Sequence, residues 1–279
     1  MRILALDIGG SFIKYGFFEG KKLKHIGKIK TKKRREEFKD QIKGIIKGFK
    51  FDALSLAIPY PYDAKRDLWS PPNFPFRNFK LKNFLKQLGK FKIFIQNDAN
   101  LAALAEAKAR GIANLVLLTL GTGLGSGVII NSKLYIGNSY ASEIGHSIIV
   151  KNGLTCSCGN KGCAEAYISV RALQRYYGKE ISIEKLASLA RKRDKKAKKA
   201  FEIFADYLAI LLSNIANIFN PELIVLSGGL THFGDLFLKQ AVKKFGSMAF
   251  KQTRCKIEIS KLSDLAGVYG AFFYALENF

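Results

Sequence analysis

The chain has 279 residues, 48% of them hydrophobic, and a formal net charge of +24. That length supports two compact domains or one large one, and the apolar content excludes intrinsic disorder. The charge invites a nucleic-acid partner, but the lysines are spread along the whole chain. The densest runs, "KTKKRREEFK" and "RKRDKKAKKAF", lead into amphipathic helical patterns. A lysine-rich solvated surface is therefore the preferred reading, and no nucleic-acid partner is expected.

The opening "MRILALDIGG" lacks the apolar stretch and cleavage site of a signal peptide. No run of ~18 uncharged apolar residues suggests a membrane span. A cytoplasmic protein is expected.

In chain order, the apolar periodicity predicts strands at Arg2 to Ile8, Ile13 to Phe18 and Leu23 to Ile29. A helix follows over Glu36 to Phe49 and a strand over Asp52 to Ile58. The segment "IPYPYDAKRDLWSPPNFPF" is too rich in proline for any regular element. Phe91 to Gln96 reads as a strand running into a helix from Ala99 to about Arg110. The second half opens with a strand, Leu115 to Leu120, a glycine-rich turn, and a strand, Gly127 to Asn131. Helices are predicted around Ala164 to Tyr177 and Ile183 to Arg193. A long apolar helix, Phe201 to Phe219, leads to a strand, Leu223 to Ser227, and a closing helix starts near Asp264. This alternation predicts an α/β protein.

Two stretches share one plan. "LALDIGGSFIKYGFF" and "LLTLGTGLGSGVII" each run strand, glycine-rich turn with a hydroxyl residue, strand. In the first turn the backbone at Gly9, Gly10 and Ser11 can approach a phosphate, and Asp7 can hold magnesium directly or through water. An ordinary tight hairpin would use the same residues. The second turn carries Gly121, Thr122 and Gly123. Neither turn fits a Walker pattern or opens a helix as a dinucleotide fingerprint would.

In "QNDANLAALAEAKA", Asn97, Asp98 and Asn100 cluster where a strand passes into a helix. They suit helix capping, and they also stand where α/β proteins place ligands. A carboxylate there could take a proton from an attacking hydroxyl.

Three of the four cysteines fall within "TCSCGNKGCAEA". Cys156, Cys158 and Cys163, with His146 ten positions before the first, make a complete tetrahedral set for a structural zinc ion. In a reducing compartment a metal site is preferred over disulfides. Glu143 and Glu165 flank the ligands, and the loop could present both carboxylates to a hydroxyl-rich ligand. Cys255, far away in sequence, reads as a core thiol. "PELIVLSGGL" is a strand ending in Gly228 and Gly229, either a plain turn or a flat surface for an adenine.

Taken together, "DIGGSFIKYG", "NDANLAALAEA", "LTLGTGLGSGVIIN", "SEIGHSIIV" with "CSCGNKGCAEAYIS", "IVLSGGL" and "DLAGVYGAFFYA" resemble the ROK family. This is the group of repressors and sugar kinases within the actin-like ATPase superfamily, and the resemblance covers nearly the whole chain. It implies two actin-like (ribonuclease H-like) α/β domains around a cleft: residues 1–110 completed by a closing helix at about 265–279, and residues 111–264 with the zinc loop. It also implies ATP with magnesium on one side, a hexose on the other, and a homodimer.

Carried over by position, Asp98 would be the general base and Asp7 would organise magnesium. Gly9, Gly10, Ser11, Lys14, Gly121, Thr122 and Gly123 would hold phosphates, and Gly228 and Gly229 would border the adenosine. Asn73 in "PPNFP", Asn97, Asp98, Glu143, His146 and Glu165 would contact the sugar or hold the loop that does. His146 would bind zinc through one nitrogen and face the sugar with the other.

The chain departs from the family pattern at "AIPYPYD", where Ala57 and Tyr60 stand in place of glycines. Gln96 replaces a common acidic residue, and Ser11 a common threonine. Family repressors carry a helix-turn-helix before the first phosphate loop; here that loop begins at residue 7, which points away from a transcription factor. The implied activity is an ATP-dependent hexose kinase, with the 6-hydroxyl of glucose as the first choice of acceptor. Alternatives are a kinase for fructose, mannose, N-acetylmannosamine or N-acetylglucosamine, a polyphosphate-dependent glucokinase, and a non-catalytic sugar-binding regulator.

Overall fold

The computed structural model describes residues 1–71 and 73–279, so Pro72 of the "PPNFP" motif lies outside the described residues. The chain divides into two compact units: Met1–Glu106 with Asp264–Phe279, and Ala107–Ser263.

The first unit contains strands β1 (Arg2–Ile8), β2 (Phe12–Glu19) and β3 (Lys22–Lys30), helix α1 (Arg35–Lys47), and strand β4 (Ala53–Ile58). Short strands β5 (Tyr62–Asp63) and β6 (Leu68–Trp69) follow, then α2 (Leu81–Lys86), β7 (Lys92–Asn97) and α3 (Asp98–Arg110), whose last turn passes into the second unit. That unit continues with β8 (Leu115–Leu120), β9 (Leu124–Ile130), β10 (Lys133–Leu134), α4 (Val170–Tyr177), α5 (Ile183–Arg191), α6 (Lys195–Phe219), β11 (Leu223–Ser227), α7 (Leu238–Met248) and β12 (Lys256–Ile259). The chain then returns to the first unit as α8 (Ala266–Asn278).

Both units use one sheet plan. The first sheet has the order β3-β2-β1-β4-β7, the second β10-β9-β8-β11-β12. In each, three antiparallel strands are extended on one side by two parallel strands. The two glycine-rich turns, β1–β2 and β8–β9, therefore occupy equivalent places. The parallel strands are apolar runs buried along their length, as strands covered on both faces must be: all six residues of β4 and five of six in β8 are buried.

In the first unit α8 packs against β1 and β4. Gly270 permits its approach to α3, because a Cβ there would lie 1.9 Å from the Leu101 carbonyl oxygen. In the second unit α6 runs through the core, burying Phe201, Phe204, Leu208 and Leu212. By length and composition α6 is apolar enough to cross a membrane even with Glu202 and Asp206 in its sequence, but over half of its apolar stretch is buried inside the protein.

Several predicted elements are corrected. The proline-rich stretch does hold regular structure, the β5–β6 hairpin. It is anchored by fully buried Trp69, whose ring packs among Phe38, Phe74 and Phe76. Strand β9 starts at Leu124, three residues earlier than predicted, so Gly125 and Gly127 lie within the strand. The helix expected over Ala164 to Tyr177 is broken into a 3-10 turn, Ala164–Ala166, and α4, because the Ser169 side chain accepts the Ala172 N–H and starts a new helix. Helix α6 begins six residues before Phe201, where Asp194 caps it through the Ala197 N–H. Helices α2 and α7 and strand β12 were not anticipated.

Candidate active site

In the first sheet β1, β4 and β7 are parallel and end on one edge. Asp7 pairs with Ala57 and Ala57 with Gln96, so these three lie in a row across the sheet. At strand spacing of about 4.8 Å, the ends of β1 and β7 stand about 10 Å apart. Asp98 opens α3 two residues past that row, and Asn97 caps the helix by accepting the Asn100 N–H at 3.0 Å. The capping expected at this strand end is thus present.

The first glycine turn is closed by the Gly9 N–H on the Phe12 carbonyl at 2.9 Å, and the Thr31 hydroxyl donates to the Gly9 carbonyl at 2.8 Å. Ser11 is exposed at the tip. Asn73 is brought against this turn: a Cβ on Gly10 would lie 2.9 Å from the Asn73 Cβ. The Lys33 ammonium ties both segments, donating to the Gly10 carbonyl and, at 2.8 Å, to that of Asn73. Thr31 and Lys33 were not among the predicted site residues, and Lys33 sits in a charge run that reads as mere surface.

Burial pushes the Asp7 carboxyl up to about 6; Lys14 opposes the shift and Asp264 adds to it. The Lys14 ammonium lies 3.9 Å from Asp7 Oδ2 and 3.4 Å from Asp264 Oδ1. Gly267 at the start of α8 touches the carboxylate, since a Cβ there would fall 2.5 Å from the Asp7 Cγ. Such a carboxylate, costly to ionise alone, is suited to meeting a cation.

In the second unit the β8–β9 turn is closed by the Gly121 N–H on the Gly123 carbonyl at 3.0 Å, and Thr122 is exposed at its tip. Gly228, with φ of 91°, lies against the end of β8, where a Cβ would come 2.5 Å from the Leu120 carbonyl oxygen. Gly229 faces open space and begins a 3-10 helix. The second turn and the Gly228–Gly229 pair are thereby neighbours.

Glu165 connects this turn to the cysteine loop. Its Oε2 accepts the Leu124 N–H at 3.1 Å and its Oε1 the Ser157 hydroxyl at 2.6 Å. A Cβ on Gly123 would sit 2.6 Å from that Oε2. The segment bearing Glu143 and His146 is equally close: Ser126 donates to the Ser142 carbonyl and accepts the Ile144 N–H at 3.2 Å. Partial burial, reinforced by Glu165 and opposed by His146, raises the Glu143 pKa, although the residue as a whole stays exposed.

His146, Cys156, Cys158 and Cys163 place their donor atoms within 4.8 Å of one another. His146 Nδ1 lies 3.6 Å from the Cys156 sulfur, and the Cys158 and Cys163 sulfurs are 3.7 Å apart. A tetrahedral ion with bonds of about 2.3 Å needs an edge of about 3.8 Å, so the donor set fits such an ion. Without a metal, burial pushes the Cys163 thiol up to about 12, while the Asn160 backbone N–H lowers the pKa of exposed Cys158. The loop turns at Gly159 and Gly162, with φ of 93° and 86°. Cys255 is half-buried against the core of this unit, and burial raises its pKa to about 11.

The family model of the ROK family matches residues 3–278. The chain is 30% identical to a glucokinase of Thermotoga maritima, over 97% of this chain and 96% of that protein. It is 32% identical to a xylose repressor of Bacillus spizizenii over 81% of this chain, but spans only 61% of the repressor's length. A ROK family glucokinase from Streptomyces griseus, solved with glucose and AMPPNP, superposes with a TM-score of 0.82 at 28% identity, covering 99% of this chain and 100% of that one. The chain belongs to the ROK family.

Proposed function

We propose that the protein is an ATP-dependent hexose kinase that transfers the γ-phosphoryl group to the 6-hydroxyl of glucose. The observation that carries the reading is the row of strand ends in the first sheet. It sets the Asp7 and Gly9–Gly10 turn on one strand and Asp98 two strands away, with Asn73 packed on the glycine turn. The similarity to named glucokinases supports this choice of acceptor.

In this reading Asn73, Asn97, Glu143, His146 and Glu165 orient the sugar. Asp98 accepts the proton of the attacking hydroxyl as its oxygen bonds to phosphorus and ADP leaves with the electrons of the broken bond. The backbone of the two glycine turns, with Ser11, Thr122 and Lys14, cradles the phosphates, and Gly228 and Gly229 border the adenosine. Asp7 would hold magnesium, which when bound neutralises phosphate charge. His146, Cys156, Cys158 and Cys163 would hold a zinc ion that, when bound, would shape the loop. The two units act as actin-like domains in a homodimer.

Asp98→Asn is expected to lower kcat by about a hundred-fold or more while sparing sugar binding. Unchanged turnover would remove Asp98 from the base role. A second reading, a sugar-binding regulator without turnover, is favoured by the similarity to the xylose repressor. Sugar binding without sugar-dependent ADP release would select it.

A further inference from the structure

Two positions that depart from the family pattern, Tyr60 and Gln96, are in contact. The Tyr60 hydroxyl donates to Gln96 Oε1 at 2.6 Å, across 36 residues of sequence. Gln96 is 4% exposed, and the same oxygen accepts the Asn97 N–H at 2.8 Å and, at 3.4 Å, a proton of the Asn100 carboxamide. Asn100 in turn receives the Asn97 cap. Three donors therefore converge on one neutral carbonyl oxygen immediately before Asn97 and Asp98.

Tyr60 itself is held from both sides. The indole N–H of buried Trp69 donates to the Pro59 carbonyl at 2.9 Å, and the Ser70 N–H to the Pro61 carbonyl at 3.2 Å. The loop after β4 is thereby fixed to the Trp69 aromatic cluster, and Tyr60 carries that rigidity to the end of β7. A neutral carboxamide suits the place: a carboxylate there would be buried two residues from Asp98 and would raise its proton affinity.

We propose that Tyr60 and Gln96 form one positioning unit for the acceptor sugar. The tyrosine hydroxyl fixes the carboxamide, and the carboxamide fixes Asn97 and the first turn of α3, aiming Asp98 at the sugar hydroxyl. Tyr60 and Gln96 are positioning residues, acting through their neighbours. The proposal rests on the kinase reading and adds to it which residues hold Asn97 and Asp98 in place.

The test is a double-mutant cycle with Tyr60→Phe, which keeps the ring, and Gln96→Met, which keeps the length of the side chain. Steady-state kinetics with glucose and ATP are joined to glucose titrations followed by the fluorescence of Trp69, the chain's single tryptophan. Tyr60→Phe is expected to lower kcat/KM for glucose about five-fold or more, as loss of a neutral hydrogen bond would, with the KM for ATP unchanged. It should cause little further loss in the Gln96→Met background.

Equal effects on glucose and ATP, or a full loss from Tyr60→Phe when Gln96 is already methionine, would overturn the pairing. If Gln96→Met does not fold, Tyr60→Phe alone decides: glucose binding weakened by about three-fold or more supports the proposal, and unchanged binding and turnover reject it. An active wild type with an indistinguishable Tyr60→Phe variant rejects the pair and leaves the kinase reading standing. A wild type that neither binds nor phosphorylates any sugar rejects both.

Discussion

Replacing Asp7 by asparagine separates what the site does for the fold from what it does for a ligand. The Asp7 carboxyl rises from an ordinary 3.8 to about 6 in the folded protein, chiefly through burial, and its side chain is 18% exposed. Between those two values the folded state binds more protons than the unfolded one. Stability due to this group therefore falls as pH rises through that window, and the loss persists above it. A shift of roughly 2 units corresponds to about 3 kcal/mol at pH 8 and about half of that at pH 5.

Asp7→Asn removes the charge and with it that penalty. Lys14, 3.9 Å away, loses an attractive partner but keeps Asp264 at 3.4 Å. A net gain of about 1–3 kcal/mol at pH 8 is expected, a rise of several degrees in Tm for a chain of this size. The assay is thermal unfolding followed by circular dichroism in magnesium-free buffer, at pH 8 and pH 5. The gain should shrink at pH 5, and the variant should lack the stabilisation that ATP with magnesium is expected to give the wild type. A lower Tm at pH 8, or a gain independent of pH, would refute the reasoning.

Two further outcomes follow from the cysteine loop. Gly162→Ala should cost about 3 kcal/mol or more: the residue has φ of 86° and a Cβ would fall 1.8 Å from the Val150 carbonyl oxygen, so neither strain nor space can be relieved locally. A thermal melt checks this, and a Tm within a degree or two of wild type would contradict it. Metal analysis of protein purified without chelators should find one zinc per chain, and its removal should lower the Tm and slow turnover by loosening Glu165 from the Leu124 N–H. Chelation without effect on either would refute the coupling of the loop to the second glycine turn.

Much of this protein is legible in its sequence for physical reasons. The glycine turns declare themselves because the flanking strands are buried apolar runs, and the cysteine cluster because its donors are close in sequence as well as in space. Much of what stayed hidden depends on partners far along the chain. Helix α2 has no side-chain cap of its own; Asp67, 15 positions upstream, accepts the Lys82 N–H, and also that of Asn83. Nothing local marks such a start.

The break at Ser169 was missed because apolar periodicity runs through it, while a capping serine competes with the helix only through its own side chain. Gly267 and Gly270 read as residues of a small-residue helix; that a Cβ at either would strike Asp7 or Leu101 follows from packing alone. Likewise the hydrogen bonds of Glu165 with Leu124 and Ser157 appear only in the folded chain, and the contact of Tyr60 with Gln96 joins two departures that the sequence shows only separately.

Sugar-dependent release of ADP from ATP and magnesium, measured across a panel of hexoses and N-acetylhexosamines, decides whether the protein is a kinase. Strong release with glucose is expected, and its loss in Asp98→Asn. No release with any sugar, from folded protein, would contradict the kinase reading.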